Sequence, residues 1–387
     1  MSKILASALV FTVLIAAFMI TADDGYDPFP EIQTNISGTW ELVGDADVVV
    51  LGSIMSLEQE GWLFTGELRD GAESTGVDLA GAFINKDGTA FVFDLSTDSQ
   101  RCLVYGLVSG DNIWLSALGD NGSTFAYRNH FLRQGGTAGE MDPYTVLDDE
   151  YTAVAALQIN RAETVNLAGE NMAVISQSDG IVHGTMEQDV NGTVVDRNFI
   201  AVGVYKETDS RGLMTEYHIM MDENDFWIMQ SIPSLKQVAL KTVAFSESGG
   251  EGDRVVTAFR SYISNDAPSG LSGGIQGFQD ITGKWKAVHI VHARNGIISV
   301  PEKRECALDV EVQSQGMFFG TMYAEDYRGS IGGSLLSPSD NYLFMAGPAV
   351  GNAVNLLHGW QNGNTIYMFS IFEDNGVKVA SAEMYHK

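Results

Sequence analysis

One short segment of the chain matches a nucleophile pattern. Residues 270–274 read Gly-Leu-Ser-Gly-Gly and fit the Gly-x-Ser-x-Gly pattern of hydrolases. That pattern activates a serine only on a sharp strand-to-helix turn of an α/β sheet. Here it lies in a Gly/Ser-rich stretch of a chain rich in strand-forming residues. A linker is therefore the better interpretation of this segment.

The closest histidine pair, His289 and His292, is a weak candidate for metal binding. Residues three apart on a strand point to opposite faces, so the two rings would not converge on one metal. The sequence also lacks a P-loop, a dinucleotide fingerprint and a Cys-x-x-Cys-His motif. We therefore expect no metal, no cofactor and no catalytic activity.

Acidic residues dominate the charge of the chain. Lys and Arg number 22 against 50 Asp and Glu, a formal net charge of −28. Such a surface repels phosphate backbones and anionic headgroups, which argues against binding to nucleic acid or to anionic membrane surfaces. Residues 148–150 and 222–225 are dense in oxygen ligands for calcium, but neither has the spacing of a calcium loop. Cations stay open as partners, beside other envelope proteins or a small ligand.

The N-terminus predicts export. Lys3 precedes an apolar run over 4–20, and Ala22 precedes an acidic segment. This pattern is typical of a secretory signal over residues 1–22, with an uncleaved membrane anchor as the alternative. We expect an extracellular or cell-surface location, where glycans on the sequons of Asn35, Asn121 and Asn191 are permitted.

Three related copies make up the rest of the chain. Residues 36–40 (Ile-Ser-Gly-Thr-Trp) correspond to 281–285 (Ile-Thr-Gly-Lys-Trp), and 106–115 correspond to 359–368 without a gap. In a diverged middle copy, residues 180–186 match 316–322. The predicted organisation is one repeat over 33–135, a second over 150–247, a Gly/Ser-rich connector over 248–278 and a third repeat over 279–387. The connector carries an apolar patch over 255–263, for which a strand or a short helix is the open alternative.

Local patterns within each copy indicate hairpins rather than helices. Leu308, Val310 and Val312 alternate with polar residues, which is the period of a half-buried strand. Asp87-Gly88 is a strong hairpin turn signal. We count seven or eight strands per copy, and closing such a meander removes its exposed edges. The sequence therefore predicts an all-β protein of three tandem up-and-down β-barrel-like domains, each of about a hundred residues, after an N-terminal signal or anchor helix.

The outline of each copy resembles the avidin and lipocalin type of meander barrel, since it opens on Gly-x-Trp and closes on strand, Asp-Asn-Gly turn and strand. The resemblance implies that barrel fold and leaves the ligand open. Avidin-like proteins carry polar ligand-binding residues soon after the opening Trp. Here residues 41–45 follow Trp40 and residues 286–289 follow Trp285 without that pattern. No biotin site is implied.

Aromatic residues recur within the copies. Trp40 and Trp285 open two of them, and Trp114, Trp227 and Tyr367 are aligned at one later position. Such residues can plug the barrels and fill their cores, or they can line an apolar or sugar-binding pocket at a barrel mouth. Trp62 and Trp360 are not repeated, so they are the better candidates for an exposed, specific role.

Cys102 and Cys306 stand at non-equivalent places in the copies, so symmetry predicts no disulfide between them. The favoured function is a non-catalytic exported cell-envelope or extracellular protein with a structural or interaction role. The alternative is a secreted small-ligand or glycan-binding protein that uses a barrel interior or mouth.

Overall fold

A computed structural model describes most of the chain outside the N-terminal segment. The described residues are 29–43, 52–71, 76–97, 100–120, 122–147, 149–159, 164–166, 171–190, 193–208, 212–222, 226–246, 254–267, 278–300, 305–314, 316–324, 327–336, 342–347, 355–374 and 376–387. The predicted signal or anchor over 1–22 lies outside them. Within these residues, no helix has the length and apolarity needed to cross a bilayer.

The first unit, barrel 1, is a closed barrel of eight antiparallel strands in sequence order, in which the first strand pairs with the last. Its strands are β1 (Gly38–Leu42), β2 (Ile54–Glu60), β3 (Leu63–Arg69), β4 (Val77–Phe83), β5 (Ala90–Asp94), β6 (Arg101–Ser109), β7 (Asn112–Asp120) and β8 (Thr124–Arg133).

The second unit, barrel 2, also forms a ring of eight strands, completed by pairing of β9 with β17, and the short β10 adds to the outside of β9. Its strands are β9 (Glu150–Ile159), β10 (Thr164–Asn166), β11 (Asn171–Ser178), β12 (Ile181–Val190), β13 (Thr193–Thr208), β14 (Met214–Met221), β15 (Phe226–Ile232), β16 (Gln237–Ser246) and β17 (Arg254–Ser264). The predicted boundary at 247 needs correction, because β17 lies inside the expected connector 248–278 and closes this ring.

The third unit, barrel 3, repeats this plan, with β18 pairing with β26 and the short β19 added beside β18. Its strands are β18 (Gly283–Arg294), β19 (Ile297–Ser299), β20 (Ala307–Ser314), β21 (Met317–Ala324), β22 (Tyr327–Leu335), β23 (Tyr342–Gly347), β24 (Asn355–Asn362), β25 (Thr365–Asp374) and β26 (Val377–His386).

The all-β class and the three barrel-like units of up-and-down strands are thus confirmed. Helix is nearly absent from the described residues, which contain one 3-10 turn, Pro233–Leu235. Tight hairpins join the strands. Gly110 and Gly363 hold φ angles of 58° and 57° in equivalent two-residue turns of barrels 1 and 3. This left-handed conformation is readily available to glycine and matches the twist of the flanking strands.

The opening Gly-x-Trp builds the same structure in barrels 1 and 3. The Trp40 indole donates to the carbonyl of Ile36 at 2.9 Å, and the Trp285 indole donates to the carbonyl of Ile281 at 2.8 Å. Both rings are buried on the first strand of their barrel. Arg133 lies 4.5 Å from the centre of the Trp40 ring. The copies therefore share side-chain contacts as well as strand order.

The later alignment holds for two of its three aromatics. Trp114 and Tyr367 are both the third residue of the seventh strand in their ring, on β7 and β25. Trp227 was aligned with them, but it lies on β15, the sixth strand of barrel 2. The prediction is wrong at Trp227. The short sequence motif around it resembles the motif on the seventh strand of barrels 1 and 3, but in barrel 2 it lies on the sixth strand.

Aromatic side chains fill the inside of barrel 1. Phe64 packs edge-on against Phe83 and Phe91, with ring centres 6.2 and 5.2 Å apart. Gly81 and Gly106 make room for these rings, because a Cβ at either position would come within about 2.1 Å of a phenyl carbon. Close packing of the interior, rather than an internal ligand site, is what these residues provide.

The three barrels also contact one another through their outer faces. Ser116 of barrel 1 donates to the carbonyl of Gly203 in barrel 2 at 2.6 Å. Lys241 of barrel 2 donates to the carbonyl of Leu335 in barrel 3 at 2.6 Å. Lys378 of barrel 3 pairs with Asp94 of barrel 1 at 2.6 Å. Each barrel is therefore bonded to both of the others.

Candidate functional site

A groove lies on the outside of barrel 1, where residues 134–149 leave β8 and reach barrel 2. From here on, the connector means this segment between barrels 1 and 2 and not residues 248–278. Its volume is about 590 Å³, within the range of small-molecule sites. It is bounded by the end of β1, by β7 and β8, by the connector and by one turn of barrel 2. The lining residues are Leu42, Val43, Trp114, Arg128, Asn129, His130, Gly139, Glu140, Met141, Asp142, Pro143 and Asp179.

Two stacked rings form one wall of the groove. Trp114 on β7 stands directly opposite His130 on β8, so their side chains leave the same face of the sheet. The ring centres are 5.1 Å apart and the planes are inclined by 12°. Burial lowers the pKa of His130 below its ordinary value. The imidazole is therefore neutral at pH 7.

Asn112 fixes this wall to the connector. Its Oδ1 accepts from Nε2 of His130 and from the backbone N–H of Gly139, both at 2.8 Å. Its Nδ2 donates to the carbonyl of Thr137 at 3.1 Å. Because Oδ1 only accepts, Nε2 of His130 carries a proton. One amide thus positions both the ring pair and the segment that faces it.

Arg128 connects the groove to barrel 2. Its guanidinium donates to the carbonyl of Asp179 at 2.7 Å and to the Asp179 carboxylate at 2.8 Å, and it contacts Sδ of Met141. Asp179 and Gly180 form the two-residue turn between β11 and β12. Within the described residues, Nε of Arg128 and Oδ1 of Asn129 are buried without a hydrogen-bond partner.

The connector is held beyond the groove by Tyr144. Its ring packs on Gly203 of barrel 2, where an added Cβ would come within 2.5 Å of it. Lys206 donates to the carbonyl of Pro143. Thr145 donates through its backbone N–H to the Glu216 carboxylate at 3.0 Å. These contacts with barrel 2 hold in place the connector, which forms the wall of the groove opposite Trp114 and His130.

A buried charged cluster lies beneath Tyr144. Glu216 on β14 is fully buried and pairs with Lys206 at 3.2 Å. The ring of His218 lies 5.2 Å from that of Tyr144. Burial, followed by the nearby Arg128 and Lys206, lowers the pKa of His218 to about 3. This cluster joins barrels 1 and 2, and its space is occupied by Tyr144 and Thr145.

The groove uses one of the predicted aromatics, Trp114. Trp62 and Trp360, expected to be exposed, are instead buried against each other between barrels 1 and 3, with ring centres 5.0 Å apart. Tyr367 packs beside Trp360 in the same contact. The expectation is wrong because an unrepeated aromatic can serve a contact between unlike copies, and such a contact has no counterpart within a single copy.

The remaining predicted aromatics lie inside barrels. Trp40 and Trp285 are buried on the first strands of barrels 1 and 3, as described above. Trp227 is buried in barrel 2, where its indole approaches Asp222 at 3.3 Å and Arg260 lies 5.0 Å from its ring centre. These three residues fill barrel cores and contribute nothing to the groove.

The other candidate residues are dispersed. Cys102 on β6 and Cys306 before β20 are both buried, no disulfide joins them, and burial raises the pKa of Cys102 to about 12. His289 packs against Phe29 and His292 against Phe372. Asn35 is exposed. Asn121, Asn191, the 270–274 segment, Asp148 and residues 223–225 lie outside the described residues.

Sequence reasoning missed the groove because it gave no role to the residues between the first two predicted repeats, 33–135 and 150–247. Half of the lining comes from that segment and from the turn at Asp179, which is about fifty residues from β8. The available signals were the aromatic at Trp114 and the polar Asn112 two positions before it, at the start of β7. The arrangement offers an aromatic face, carboxylates and one guanidinium, which suits non-covalent binding.

Comparison with known proteins adds little to this description. No protein-family model matches the chain, the avidin and lipocalin families included, and no curated protein matches it. A solved structure of a DUF3598-family protein of unknown function from Nostoc punctiforme is similar over 62% of this chain and 95% of its own, with 9% identity and a TM-score of 0.26. A likeness this distant carries no functional argument.

Proposed function

We propose that this chain is a non-catalytic exported protein of the cell envelope or extracellular space, with a structural or interaction role. The observation that carries the proposal is the bonding of each barrel to both others through buried contacts. Ser116 joins barrels 1 and 2, Lys241 joins barrels 2 and 3, and Tyr105 joins barrels 1 and 3 through His358. Such a body suits a rigid spacer or platform.

The charge of the chain supports the same role. A net charge of −28 keeps a protein soluble and monomeric and disfavours contact with anionic surfaces. The aromatic filling of barrel 1 leaves its outer surface as the place for partners. The predicted signal over 1–22 supplies the route of export.

Three measurements test this proposal. Calorimetry of the full chain is expected to show one cooperative unfolding transition, since domains joined by buried polar and apolar contacts unfold together. Three separate transitions would overturn the rigid scaffold. Chain recovered outside the cytoplasm is expected to begin after Ala22, and retention of the complete chain in the cytosol would overturn export. Turnover of an ester, peptide or glycoside substrate would overturn the non-catalytic role.

A second candidate function is binding of a small ligand in the groove on barrel 1. The specific observation in its favour is the stacked Trp114–His130 wall beside a cavity of about 590 Å³. This moves the predicted ligand site from a barrel interior or mouth to an outer face. The test is a fragment screen followed through the indole N–H resonance of Trp114, with the resonance assigned by its loss in Trp114→Phe.

A further inference from the structure

We propose that the groove binds small organic cations, meaning ligands that carry an ammonium or guanidinium group on a compact apolar skeleton. The inference rests on the second candidate function, ligand binding in the groove, and names the class of ligand. Three features point to it together: the aromatic wall, the charge of the lining and the charge of the whole chain.

The aromatic wall suits a cation. An indole is the best of the aromatic side chains at attracting a positive group over its face. Trp114 lines the groove, and its ring is stacked on that of His130 with the centres 5.1 Å apart. The pKa of His130 is lowered by burial, so this ring does not repel a cation at neutral pH.

The charged groups of the lining sum to a negative site. The connector contributes Glu140 and Asp142, barrel 2 contributes Asp179, and all three residues are exposed. Barrel 1 contributes Arg128, whose guanidinium is bonded to Asp179. Three carboxylates against one guanidinium give a formal charge of −2, and the positive charge is already neutralised.

Charge complementarity separates a cation from other ligands. An anion would be repelled at long range by the chain, whose net charge is −28, and at short range by the groove, whose formal charge is −2. A neutral sugar could stack on Trp114 but would gain nothing from the charges. A cation gains from the indole, from Glu140 and Asp142, and from long-range attraction.

The same features limit the affinity. Glu140 and Asp142 are solvated, and an exposed charge pair contributes little to affinity. An exposed cation–π contact is similarly weak. Leu42, Val43 and Met141 add apolar contact for the skeleton. We therefore expect a dissociation constant on the order of 1 mM, weakened by salt.

The experiment compares ligands of one shape and different charge. Choline and its neutral carbon analogue 3,3-dimethylbutan-1-ol are titrated into protein labelled with ¹⁵N in its indoles, and the Trp114 resonance is followed. Choline is expected to bind at least about fivefold more tightly than the neutral analogue. Raising salt from about 20 to about 500 mM is expected to remove most of that difference.

Variants locate the charge effect. Glu140→Gln with Asp142→Asn is expected to weaken choline binding about three- to tenfold and to leave the neutral analogue unaffected. The matched control is Glu58→Gln with Asp87→Asn, which removes the same charge from exposed positions outside the lining. Equal weakening by both pairs would show only the general field of the chain and would overturn a specific cation site.

Two further probes separate failure of this inference from failure of groove binding. If 3,3-dimethylbutanoate or maltose shifts the Trp114 resonance more strongly than choline does, the groove binds ligands and the cation class is wrong. Equal affinity for choline and its neutral analogue leads to the same conclusion. If none of the four probes shifts Trp114, both the inference and the groove-binding function are overturned.

Discussion

The hydroxyl of Tyr105 lies 2.7 Å from Nε2 of His358, so one buried hydrogen bond joins β6 of barrel 1 to β24 of barrel 3. Both side chains are almost fully buried. Burial raises the pKa of Tyr105 and lowers that of His358, so the bond joins a neutral hydroxyl to a neutral imidazole. Two residues 253 positions apart in the sequence thus meet in the contact between barrels 1 and 3 and not inside either barrel.

Tyr105→Phe is expected to reduce the free energy of unfolding by about 1–3 kcal/mol, because it removes the hydrogen-bond partner of a buried imidazole nitrogen while keeping the ring. Urea denaturation measures the change. Tyr127→Phe, on the half-buried end of β8, is the control and should stay within about 0.5 kcal/mol. Equal losses in the two variants would contradict the importance of this bond.

Stability should fall as the pH drops below about 6.5. Burial holds the pKa of both His218 and His358 at about 3, whereas a histidine in the unfolded chain titrates near about 6.5. Between these values the unfolded state binds more protons, so acid favours unfolding. Each histidine contributes up to about 1.4 kcal/mol per pH unit across that window.

The pH effect can be assigned to one residue. His358→Gln retains a polar group that can hydrogen-bond to Tyr105 and is expected to make the dependence of unfolding free energy on pH shallower between about 6.5 and about 4. Urea unfolding at four pH values measures this slope. His183→Gln, at an exposed position, is the control. An unchanged slope in His358→Gln would mean that this imidazole is protonated in the folded protein.

The contact between Tyr144 and Gly203 predicts that a larger residue at position 203 clashes with the Tyr144 ring, and that truncating this ring relieves the clash. Gly203→Ala places a methyl group within 2.5 Å of the Tyr144 ring, and overpacking of this kind costs about 1–3 kcal/mol. In a Tyr144→Ala background the same alanine is expected to cost clearly less. A double-mutant cycle by chemical denaturation measures the coupling, and additive losses would show that the ring does not pack on Gly203.

Arg133 and Lys387 occupy equivalent positions over the opening Trp of barrels 1 and 3, but their contributions to the free energy of unfolding should differ. Arg133 covers the Trp40 ring at 4.5 Å and donates to the carbonyls of Ser37 and Asn35. Lys387 lies 5.3 Å from the Trp285 ring centre and donates to the carbonyl of Thr282. Arg133→Met is therefore expected to cost about 1–2 kcal/mol, and Lys387→Met less than about 1 kcal/mol. Thermal unfolding of both variants tests this, and the reverse order would contradict it.

Local sequence patterns determined the fold class. Alternating apolar residues, Gly-containing hairpin turns and the recurring Gly-x-Trp identify strands, their order and the equivalence of Trp40 with Trp285. These features depend on residues near one another in the chain, and a meander pairs neighbours in sequence. Strand β17 was assigned to the predicted connector over 248–278 rather than to barrel 2, because its apolar residues lie between Gly-rich stretches that indicate a linker.

Tertiary structure alone decided where the unrepeated residues lie. Trp62 meets Trp360 and Tyr105 meets His358 because whole barrels pack on one another, and no spacing in the sequence encodes that contact. The groove has the same origin: β8, the connector and the turn at Asp179 become neighbours only after barrel 2 docks on barrel 1. Sequence periodicity reports which face of a strand is buried, but it does not distinguish burial inside a barrel from burial between barrels.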